Sequence, residues 1–346
     1  MTFTSRGFLL LPSMQLPIVD FLRLRSQLPT IDVRSEGEYH EGHIAGAINI
    51  PMLTNQERRE VGIAFKKLGQ QTAIDTGFRL VGPRLSNIIS DARRTGNELL
   101  VHCWRGGMRS ANFCQFMSMA GIRTHQLQGG YKAYRTLAMD TFSRPLDLMV
   151  LGGFTGSGKS DILRQLKIKG EQILDLEHLA AHKGSVFGGL MMPVQPTTEQ
   201  FQNELFERII ALDSTKRIWV EDESIGIGKI YLPEQFWLQM QKSPIVTIEV
   251  SKETRVKRLV DEYGKADATK FMEAMTKLTR KLGGQHFNAA KEKYERGDMA
   301  AAIDILLTYY DKAYFNGLAR NNARLKQTYS WDGVNADHIT GELIHT

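Results

Sequence analysis

The sequence predicts an α/β fold with parallel sheets, because two segments share the same strand–loop–helix order. In the first, an apolar run at 98–101 leads into a loop at 102–107, and a helical apolar pattern follows at 111–119. In the second, an apolar run at 148–151 leads into a glycine-rich loop at 152–158 before a helix. Strands that alternate with helices indicate a parallel sheet, in which ligands bind at the carboxyl ends of the strands.

The length of 346 residues indicates about two domains, because one hydrophobic core rarely grows that large. The best linker candidate is residues 141–145, TFSRP. We therefore expect one domain at 1–140 and a second at 145–346. The second should end in a helical region, since residues 267–321 follow a helical pattern interrupted only by two adjacent glycines.

Smaller elements complete the prediction for both domains. In the first we expect strands at 30–35, 47–50 and 124–128, a helical turn at 36–40, a charged helical insert at 51–98 and a Gly-Gly-Tyr turn into a last helix. In the second we expect strands at 171–176, 217–221 and 244–250, with a flexible loop at 184–192 that could fold over a ligand. The insert could form a lid or a partner-binding surface. Alternatively, it is a solvent-exposed helical addition without such a role.

Composition narrows the class of protein. The two cysteines lie in one loop–helix segment and form no disulfide framework, which favours a reducing cytoplasm. There is no apolar run of about 18 residues, so we expect no membrane span, and we read the N-terminus as an ordered lead-in. No Cys/His set has zinc-ligand spacing, and we predict no tightly bound metal.

A net charge of +6 permits a polyanionic partner such as RNA without requiring one. The basic clusters that could contact phosphates are Arg58, Arg59, Lys66, Lys67, Arg93, Arg94, Arg255, Lys257, Arg258, Arg280 and Lys281.

The loop around Cys103 has the features of a reactive thiol. It lies where a strand ends and a helix begins, so backbone N–H groups and the positive end of the helix dipole should face the sulfur. Arg105 and Arg109 add positive charge nearby. These features favour the thiolate, which is the nucleophilic form. The alternative is a buried structural cysteine.

The spacing from Cys103 to Arg109 is C-x5-R, which with His102 matches the string of tyrosine-phosphatase-like loops. A loop of this length suits a tetrahedral phosphate-type group, and Arg109 could place two N–H groups on such an anion. Two reaction classes remain open: hydrolysis of a phosphate monoester, or capture of a chalcogen from a phosphorylated donor.

Residues 153–160 match the phosphate-loop motif G-x4-G-K-[ST] in the required strand–loop–helix context. Its glycines let backbone N–H groups converge on phosphate oxygens, and its lysine supplies a charge. The residues expected to contact phosphate are Gly153, Thr155, Gly156, Ser157, Gly158, Lys159 and Ser160.

Further phosphate-site residues should come from neighbouring strands. Asp222, at the end of an acid-terminated strand, is our candidate for a Mg²⁺-side carboxylate together with Ser160, if Mg²⁺ binds at all. Arg255 and Arg258 share a helix face because they are three residues apart. They could clamp a phosphate, or they could form a solvated basic face.

Residues 32–51, DVRSEGEYHEGHIAGAINIP, followed by a strand ending in cysteine, resemble a rhodanese domain. The resemblance implies that Asp32 and Arg34 frame the active-site side of the sheet. It also implies that Cys103 carries sulfur or selenium as a persulfide or perselenide. A structural, loop-anchoring carboxylate is the alternative role for Asp32. The loop after Cys103 is one residue longer than the common rhodanese loop.

Together HCWRGGMRS and GGFTGSGKS, in this order, resemble the tRNA 2-selenouridine synthases over nearly the whole chain. The resemblance implies conversion of wobble 2-thiouridine to 2-selenouridine in a subset of tRNAs, with geranyl diphosphate and selenophosphate as co-substrates. We expect the phosphate loop to bind the prenyl diphosphate. We expect the catalytic residues of selenation to be Cys103, Arg105, Arg109 and Asp32. The two arginines would bind selenophosphate. A cysteine phosphatase, a kinase and an RNA-binding adaptor without chemistry are the alternatives.

Overall fold

Each half of the chain contains one five-stranded parallel sheet. The structure is a computed structural model that describes residues 13–320 and 322–346. The chain divides after Thr141 into two compact units. The first twelve residues of the predicted lead-in, and Asn321 at the end of the predicted helical region, lie outside the described residues. The predicted class, α/β with parallel sheets, is confirmed.

Unit 1 has the strand order β1-β5-β4-β2-β3, with every neighbouring pair parallel. Its elements are β1 (Met14–Leu16), α1 (Ile18–Leu24), β2 (Thr30–Asp32), α2 (Glu36–Glu41), β3 (Ile48–Asn49), α3 (Asn55–Leu68), α4 (Gln70–Val81), α5 (Leu85–Thr95), β4 (Glu98–His102), α6 (Met108–Met119), β5 (Arg123–Leu127) and α7 (Gly130–Thr141). A 3-10 turn, Gly82–Arg84, joins α4 to α5.

The central strand β4 explains why its sequence is a continuous apolar run. Leu99, Leu100 and Val101 are all fully buried, as expected for a parallel strand covered by helices on both faces. Phe113 and Met117 of α6 pack in the same core cluster. Full burial of a side chain of this size contributes roughly 1.5–3 kcal/mol. This packing fixes α6, and with it the loop that joins β4 to α6.

Unit 2 has the strand order β12-β11-β6-β8-β7, again all parallel, beside a small antiparallel hairpin of β9 and β10. Its elements are β6 (Leu148–Gly153), α8 (Lys159–Ile168), β7 (Gln172–Leu174), α9 (Leu176–Leu179), α10 (Thr198–Ile210), β8 (Ile218–Glu221), β9 (Gly226–Ile227), β10 (Ile230–Tyr231), α11 (Glu234–Met240), β11 (Ile245–Glu249), α12 (Lys252–Tyr263), α13 (Ala268–Thr276), α14 (Thr279–Leu282), α15 (Gly284–Glu295), α16 (Met299–Arg320), β12 (Leu325–Ser330) and α17 (Ala336–Leu343).

The helical region of unit 2 packs around its own apolar core, which includes Phe271, Met275 and Leu306. Gly283 breaks the helical pattern between α14 and α15 with a φ of +86°, a conformation that glycine adopts without a steric penalty. Across the described residues, no helix combines the length and the hydropathy needed to span a bilayer.

Candidate functional site

The cysteine loop of unit 1 joins β4 to α6, as the sequence predicts. Cys103 directly follows the last residue of β4, and α6 begins at Met108 with Gly107 as its N-cap. The ends of β2 and β5 lie at the same edge of the sheet because all three strands are parallel. The loops that follow these strands therefore surround the cysteine.

The Gly-Gly-Tyr turn at the start of α7 holds the cysteine loop in place. The backbone N–H of Tyr131 donates to the carbonyl of Cys103 (2.8 Å), and that of Lys132 donates to the carbonyl of Trp104 (2.9 Å). A Cβ on Gly130, whose φ is +62°, would lie 2.5 Å from both the Cys103 carbonyl oxygen and the Gly106 nitrogen. Glycine is therefore required at 130 to let the two backbones approach.

The sulfur of Cys103 lies 3.1 Å from the hydroxyl of Ser110 and 3.9 Å from the carbonyl oxygen of Gly107. Gln126 donates to that hydroxyl and to the carbonyl of Gly106, both at 2.8 Å. Cys103 is only 3 % exposed, whereas Arg105 on the same loop is exposed. The loop thus presents a hydroxyl to a sulfur that is almost fully buried.

Arg109 does not present a free guanidinium to this loop, contrary to our expectation. Its Nη1 and Nη2 donate to the two carboxylate oxygens of Glu38 at 2.6 and 3.2 Å. Arg58 pairs with the same carboxylate at 3.1 Å. Burial opposes ionisation of Glu38, but the hydrogen bond and charge of Arg109, with smaller contributions from Ser35 and Arg58, together outweigh it and lower the pKa of the Glu38 carboxyl. An anion that binds Arg109 must therefore compete with Glu38.

Asp32 lies beneath the site, in a fully buried ion pair with Arg34. Arg34 also donates to the carbonyl of Gly42 (2.6 Å) and lies 3.8 Å above the ring of Tyr131. Burial lowers the pKa of the neighbouring His102, whose ring lies 3.8 Å from Asp32. These contacts favour the loop-anchoring alternative for Asp32, because its carboxylate is enclosed by protein groups.

The phosphate loop of unit 2 connects β6 to α8 and has the backbone that the motif predicts. Gly153, Gly156 and Gly158 have φ values of +152°, +82° and +79°. A Cβ on Gly153 would lie 2.6 Å from the hydroxyl of Ser157, and one on Gly158 would lie 2.6 Å from Nη2 of Arg258. The loop therefore depends on glycine for both its turns and its close contacts.

A polar cavity of about 210 Å³ lies over this loop. Its lining includes all the predicted phosphate-loop residues together with Asp222 and Arg258: Gly153, Thr155, Gly156, Ser157, Gly158, Lys159, Ser160, Asp222 and Arg258. Lys159 donates to the carbonyl of Gly153 at 3.2 Å. The buried hydroxyl of Ser157 has no hydrogen-bond partner within the described residues, and so is available to a ligand.

Acidic side chains form the opposite side of the cavity. The backbone N–H of Asp222 donates to Leu151 of β6 at 3.0 Å, which brings this carboxylate beside the phosphate loop. Burial raises the pKa of Asp222, with Lys159 acting against it. Burial and then the charge of Glu177 raise the pKa of Glu223 to about 8. Glu223 is therefore largely protonated at neutral pH.

The hydroxyl of Ser160 donates to Glu177 at 2.9 Å, so Ser160 is paired with a carboxylate other than Asp222. These oxygen donors fit a Mg²⁺ ion that would rest on Ser160, Asp222 and a bound diphosphate, since Mg²⁺ prefers few protein ligands. When bound, the ion would neutralise charge on the phosphates. Within 13–320 and 322–346, no group of three or more His, Cys, Asp or Glu residues is arranged to hold a metal ion.

The two candidate clamp arginines of α12 differ in position. Arg255 is buried, pairs with Asp311 through two hydrogen bonds (2.7 and 2.9 Å) and does not line the cavity. Arg258 lines the cavity and is paired with Asp161. The Arg255 guanidinium is therefore held by a carboxylate of α16 rather than forming a solvated basic face, and its role as a phosphate clamp stays a prediction.

Residues 183–185 also line the cavity, and the last two of them belong to the predicted flexible loop at 184–192. Further along, Phe187 is buried in the helical core, and the backbone N–H of Val186 donates to the hydroxyl of Tyr310 (3.2 Å). The loop therefore covers one side of the cavity and is anchored to the helical region.

Two family models match the chain. Residues 20–137 match the rhodanese-like domain, and residues 146–340 match the tRNA 2-selenouridine synthase AAA domain. The tRNA 2-selenouridine synthase of Cupriavidus pinatubonensis is 34 % identical over 85 % of this chain and 90 % of the relative. The chain belongs to the tRNA 2-selenouridine synthase family.

Other comparisons extend this result. The tRNA 2-selenouridine synthase of Pseudomonas fluorescens is also 34 % identical, over 86 % of this chain and 91 % of the relative. Among solved structures, the N-terminal domain of an ATP/GTP-binding protein from Clostridium difficile 630 is 40 % identical over 35 % of this chain and 96 % of that chain, with a TM-score of 0.34. A similarity of that size adds nothing to the assignment.

Five residues around the two loops are absent from the predicted site. Glu38, Ser110 and Glu177 contact Arg109, Cys103 and Ser160, respectively. Gln126 donates to Gly106 of the cysteine loop, and Glu223 lines the phosphate cavity. Ser110 had the best available signal, because it lies in the first turn of the helix that follows the cysteine loop. The others come from elements whose neighbours are set by the tertiary fold.

Proposed function

We propose that this chain replaces sulfur by selenium at C2 of the wobble 2-thiouridine of a subset of tRNAs, using geranyl diphosphate and selenophosphate. Membership of the tRNA 2-selenouridine synthase family makes the chain a tRNA-modifying enzyme. One observation supports the division into two reactions. The chain holds a cysteine loop with a nearby arginine on one sheet and a phosphate loop with a lysine on another.

The first reaction is assigned to unit 2. The sulfur of 2-thiouridine attacks C1 of geranyl diphosphate, the C–O bond breaks, and diphosphate leaves with the electron pair. Lys159 and the N–H groups of the phosphate loop stabilise the departing charge. The 210 Å³ cavity suits this role because it is polar and is lined by the loop itself. Alkylation matters chemically because a thiol is a better leaving group than a sulfide.

The second reaction is assigned to unit 1. Selenophosphate already carries selenium in its reduced state, so a perselenide on Cys103 would require an oxidant. Attack of the Cys103 sulfur on phosphorus needs none. The P–Se bond breaks, hydrogen selenide anion leaves, and the phosphoryl group stays on sulfur until water removes it. The selenide then attacks C2 of the alkylated base, and geranylthiol leaves.

This assignment is supported by the C-x5-R spacing, which suits a tetrahedral phosphoryl group, and by the hydroxyl of Ser110 beside the sulfur. Arg109 would hold the selenophosphate oxygens after exchanging with Glu38. Arg105, exposed on the same loop, is free to contact the anion from outside. The basic clusters on α3, at Arg58, Arg59 and Lys66, would contact tRNA phosphates.

Mass spectrometry of nucleosides tests the proposal. tRNA carrying 2-thiouridine is incubated with the protein, geranyl diphosphate and selenophosphate, then digested. Cys103→Ala should leave S-geranyl-2-thiouridine accumulating without 2-selenouridine, and Lys159→Ala should give neither. Cys114→Ala and Lys167→Ala, a core cysteine and an exposed lysine on α8, are the matched controls. Normal selenation by Cys103→Ala contradicts the role of the cysteine, and normal geranylation by Lys159→Ala contradicts that of the phosphate loop.

A further inference from the structure

A second cavity lies beside the cysteine loop and shares only Arg109 with the anion site described there. It is a groove of about 690 Å³ in unit 1, formed by the insert helices α3 and α4 and by the first turns of α6. Met108 and Arg109 line its end nearest the cysteine loop. Its volume lies in the range of pockets that bind small organic ligands. The sequence marks this insert only as a charged helical segment.

The interior of the groove is apolar although the segment that builds it is charged. Ile63, Phe65 and Phe78 line it and remain 48 %, 58 % and 54 % exposed. Large apolar side chains left exposed together, rather than singly, indicate a binding surface. Met52 and Phe116 extend the same surface toward the sheet and α6.

The rim of the groove is cationic. Arg58, Arg59 and Lys66 lie along α3, and Arg109 lies at the end next to the cysteine loop. Glu38 pairs with Arg58 and Arg109 but does not line the groove. Within the described residues the lining contains no Asp or Glu. An apolar floor with a cationic rim complements an aliphatic chain attached to a polyanion.

We propose that this groove binds the prenyl chain of the S-prenylated wobble uridine, with the adjoining RNA phosphates on the basic rim. The inference rests on the proposed function and goes beyond it by placing the intermediate in unit 1. A chain held between α3 and α4 directs the sulfur-bearing carbon of the base toward the N-terminal turn of α6, where the cysteine loop ends. Prenylation would then serve recognition as well as leaving-group chemistry, because 2-thiouridine without the chain cannot fill the groove.

Two glycines keep the groove open. Gly62 of α3 and Gly77 of α4 both line it, and a Cβ at either position would have no heavy atom within 4 Å. A methyl side chain at either position therefore meets no protein atom, and we expect a larger side chain there to occupy the groove. Glycine inside a helix also lowers helix stability relative to other residues, so replacing it does not threaten the helix. These positions allow the groove to be filled while the fold is kept.

The binding test uses fluorescently labelled anticodon stem–loops that carry S-geranyl- or S-methyl-2-thiouridine, measured by anisotropy with the full chain. The wild type should bind the S-geranyl RNA at least about tenfold tighter, which burial of two of the nine additional carbons would produce. Gly77→Trp and Gly62→Trp should abolish this preference, whereas Gly77→Ala and the unit 2 control Gly317→Trp, on α16, should retain it. An unchanged preference in both groove-filling variants overturns the inference.

Product analysis separates this inference from the proposed function. Gly77→Trp should still form S-geranyl-2-thiouridine from geranyl diphosphate but should make little 2-selenouridine. If the variant selenates normally, the groove assignment is wrong while the two reactions stand. If geranylation itself is lost in Gly77→Trp, the groove serves the donor and the inference is also overturned. If the wild type forms no geranylated nucleoside at all, the proposed function fails instead.

Sedimentation tests a different occupant of the groove. A wild-type dimer that is dissociated by Gly77→Trp would assign the groove to a second copy of the chain and reject the inference.

Discussion

The carboxylate of Glu38 holds the guanidinium of Arg109 through two hydrogen bonds of 2.6 and 3.2 Å, although 71 residues separate them in the sequence. Glu38 also accepts from the backbone N–H and the hydroxyl of Ser35 at the start of α2. One carboxylate therefore caps a helix and neutralises the arginine of the cysteine loop. An anion that binds Arg109 must therefore displace this carboxylate, which we expect to exclude weakly bound anions.

Glu38→Gln should open that site. A neutral amide competes less strongly for Arg109, so inorganic phosphate should inhibit selenation at several-fold lower concentration than in the wild type. The amide still caps α2, and the free energy of unfolding should fall by no more than about 1 kcal/mol. Inhibition constants for phosphate, measured on geranylated tRNA, check this prediction.

Glu57→Gln is the matched control, because Glu57 caps α3 in the same way and pairs with Arg84 away from the cysteine loop. Equal phosphate inhibition of wild type and Glu38→Gln would show that the pair does not gate the anion site.

The sequence predicts the two loops well because their signals are local. The apolar run of β4, the glycines around Cys103 and the motif at 153–160 each specify strand, loop or helix within about ten residues. The structure places these elements within a few residues of their expected bounds. The Gly-Gly-Tyr turn is likewise predicted, although its direct contact with Cys103 is not.

Contacts between residues that are far apart in the sequence cannot be predicted from such local patterns. The strand β12 is a mostly exposed edge strand of polar residues, LKQTYS, and lacks an apolar pattern. The pairs Glu38–Arg109, Ser160–Glu177 and Arg255–Asp311 join residues from different elements. Their partners are set by how helices pack on the sheets. The sequence thus predicts that a loop carries charged side chains. It does not predict whether those side chains are paired with other residues of the protein.

Gly130→Ala should disrupt the cysteine loop. Its Cβ would collide with backbone atoms of Cys103, Arg105 and Gly106, and backbone cannot move aside as a flexible side chain can. Together with the left-handed φ of +62°, we expect a loss of at least about 3 kcal/mol in the free energy of unfolding. Urea unfolding of the full chain, followed by circular dichroism, measures the change.

The control for this prediction is Gly46→Ala. Gly46 has a similar φ of +75°, but its Cβ would meet no atom within 4 Å. Only the backbone penalty of about 1–2 kcal/mol should remain. Equal destabilisation by both variants would show that the contact between α7 and the cysteine loop is unimportant.

Asp32→Asn tests the structural role of the buried pair. The substitution leaves the guanidinium of Arg34 buried without a countercharge, which should lower the free energy of unfolding by about 3–5 kcal/mol. Asp20→Asn, which removes an exposed pair with Arg23, should change it by less than about 1 kcal/mol. A stable Asp32→Asn protein that has lost only selenation would instead support a catalytic role.

The same pair should make unit 1 sensitive to acid. Burial acts to raise the pKa of Asp32, but His102 and Arg34 together outweigh it and lower the pKa below the ordinary value. The stabilisation is therefore complete above the pKa of an unfolded aspartate and is lost as the pH falls through the lower, folded value. Acid titration followed by circular dichroism should show a transition that is shallower in Asp32→Asn.

Diphosphate binding in unit 2 should weaken above pH 8. Burial and the charge of Glu177 raise the pKa of Glu223 to about 8, so this side chain is neutral below that pH and negative above it. Glu223 lines the phosphate cavity, and its ionisation places a further negative charge near the ligand. An added charge in a partly buried site should reduce affinity on the order of tenfold. Calorimetry with inorganic pyrophosphate at pH 7 and pH 9 measures this.

Glu223→Gln should lack this part of the pH dependence while keeping any that arises from titration of pyrophosphate itself. The same decrease in both proteins would remove Glu223 as its cause.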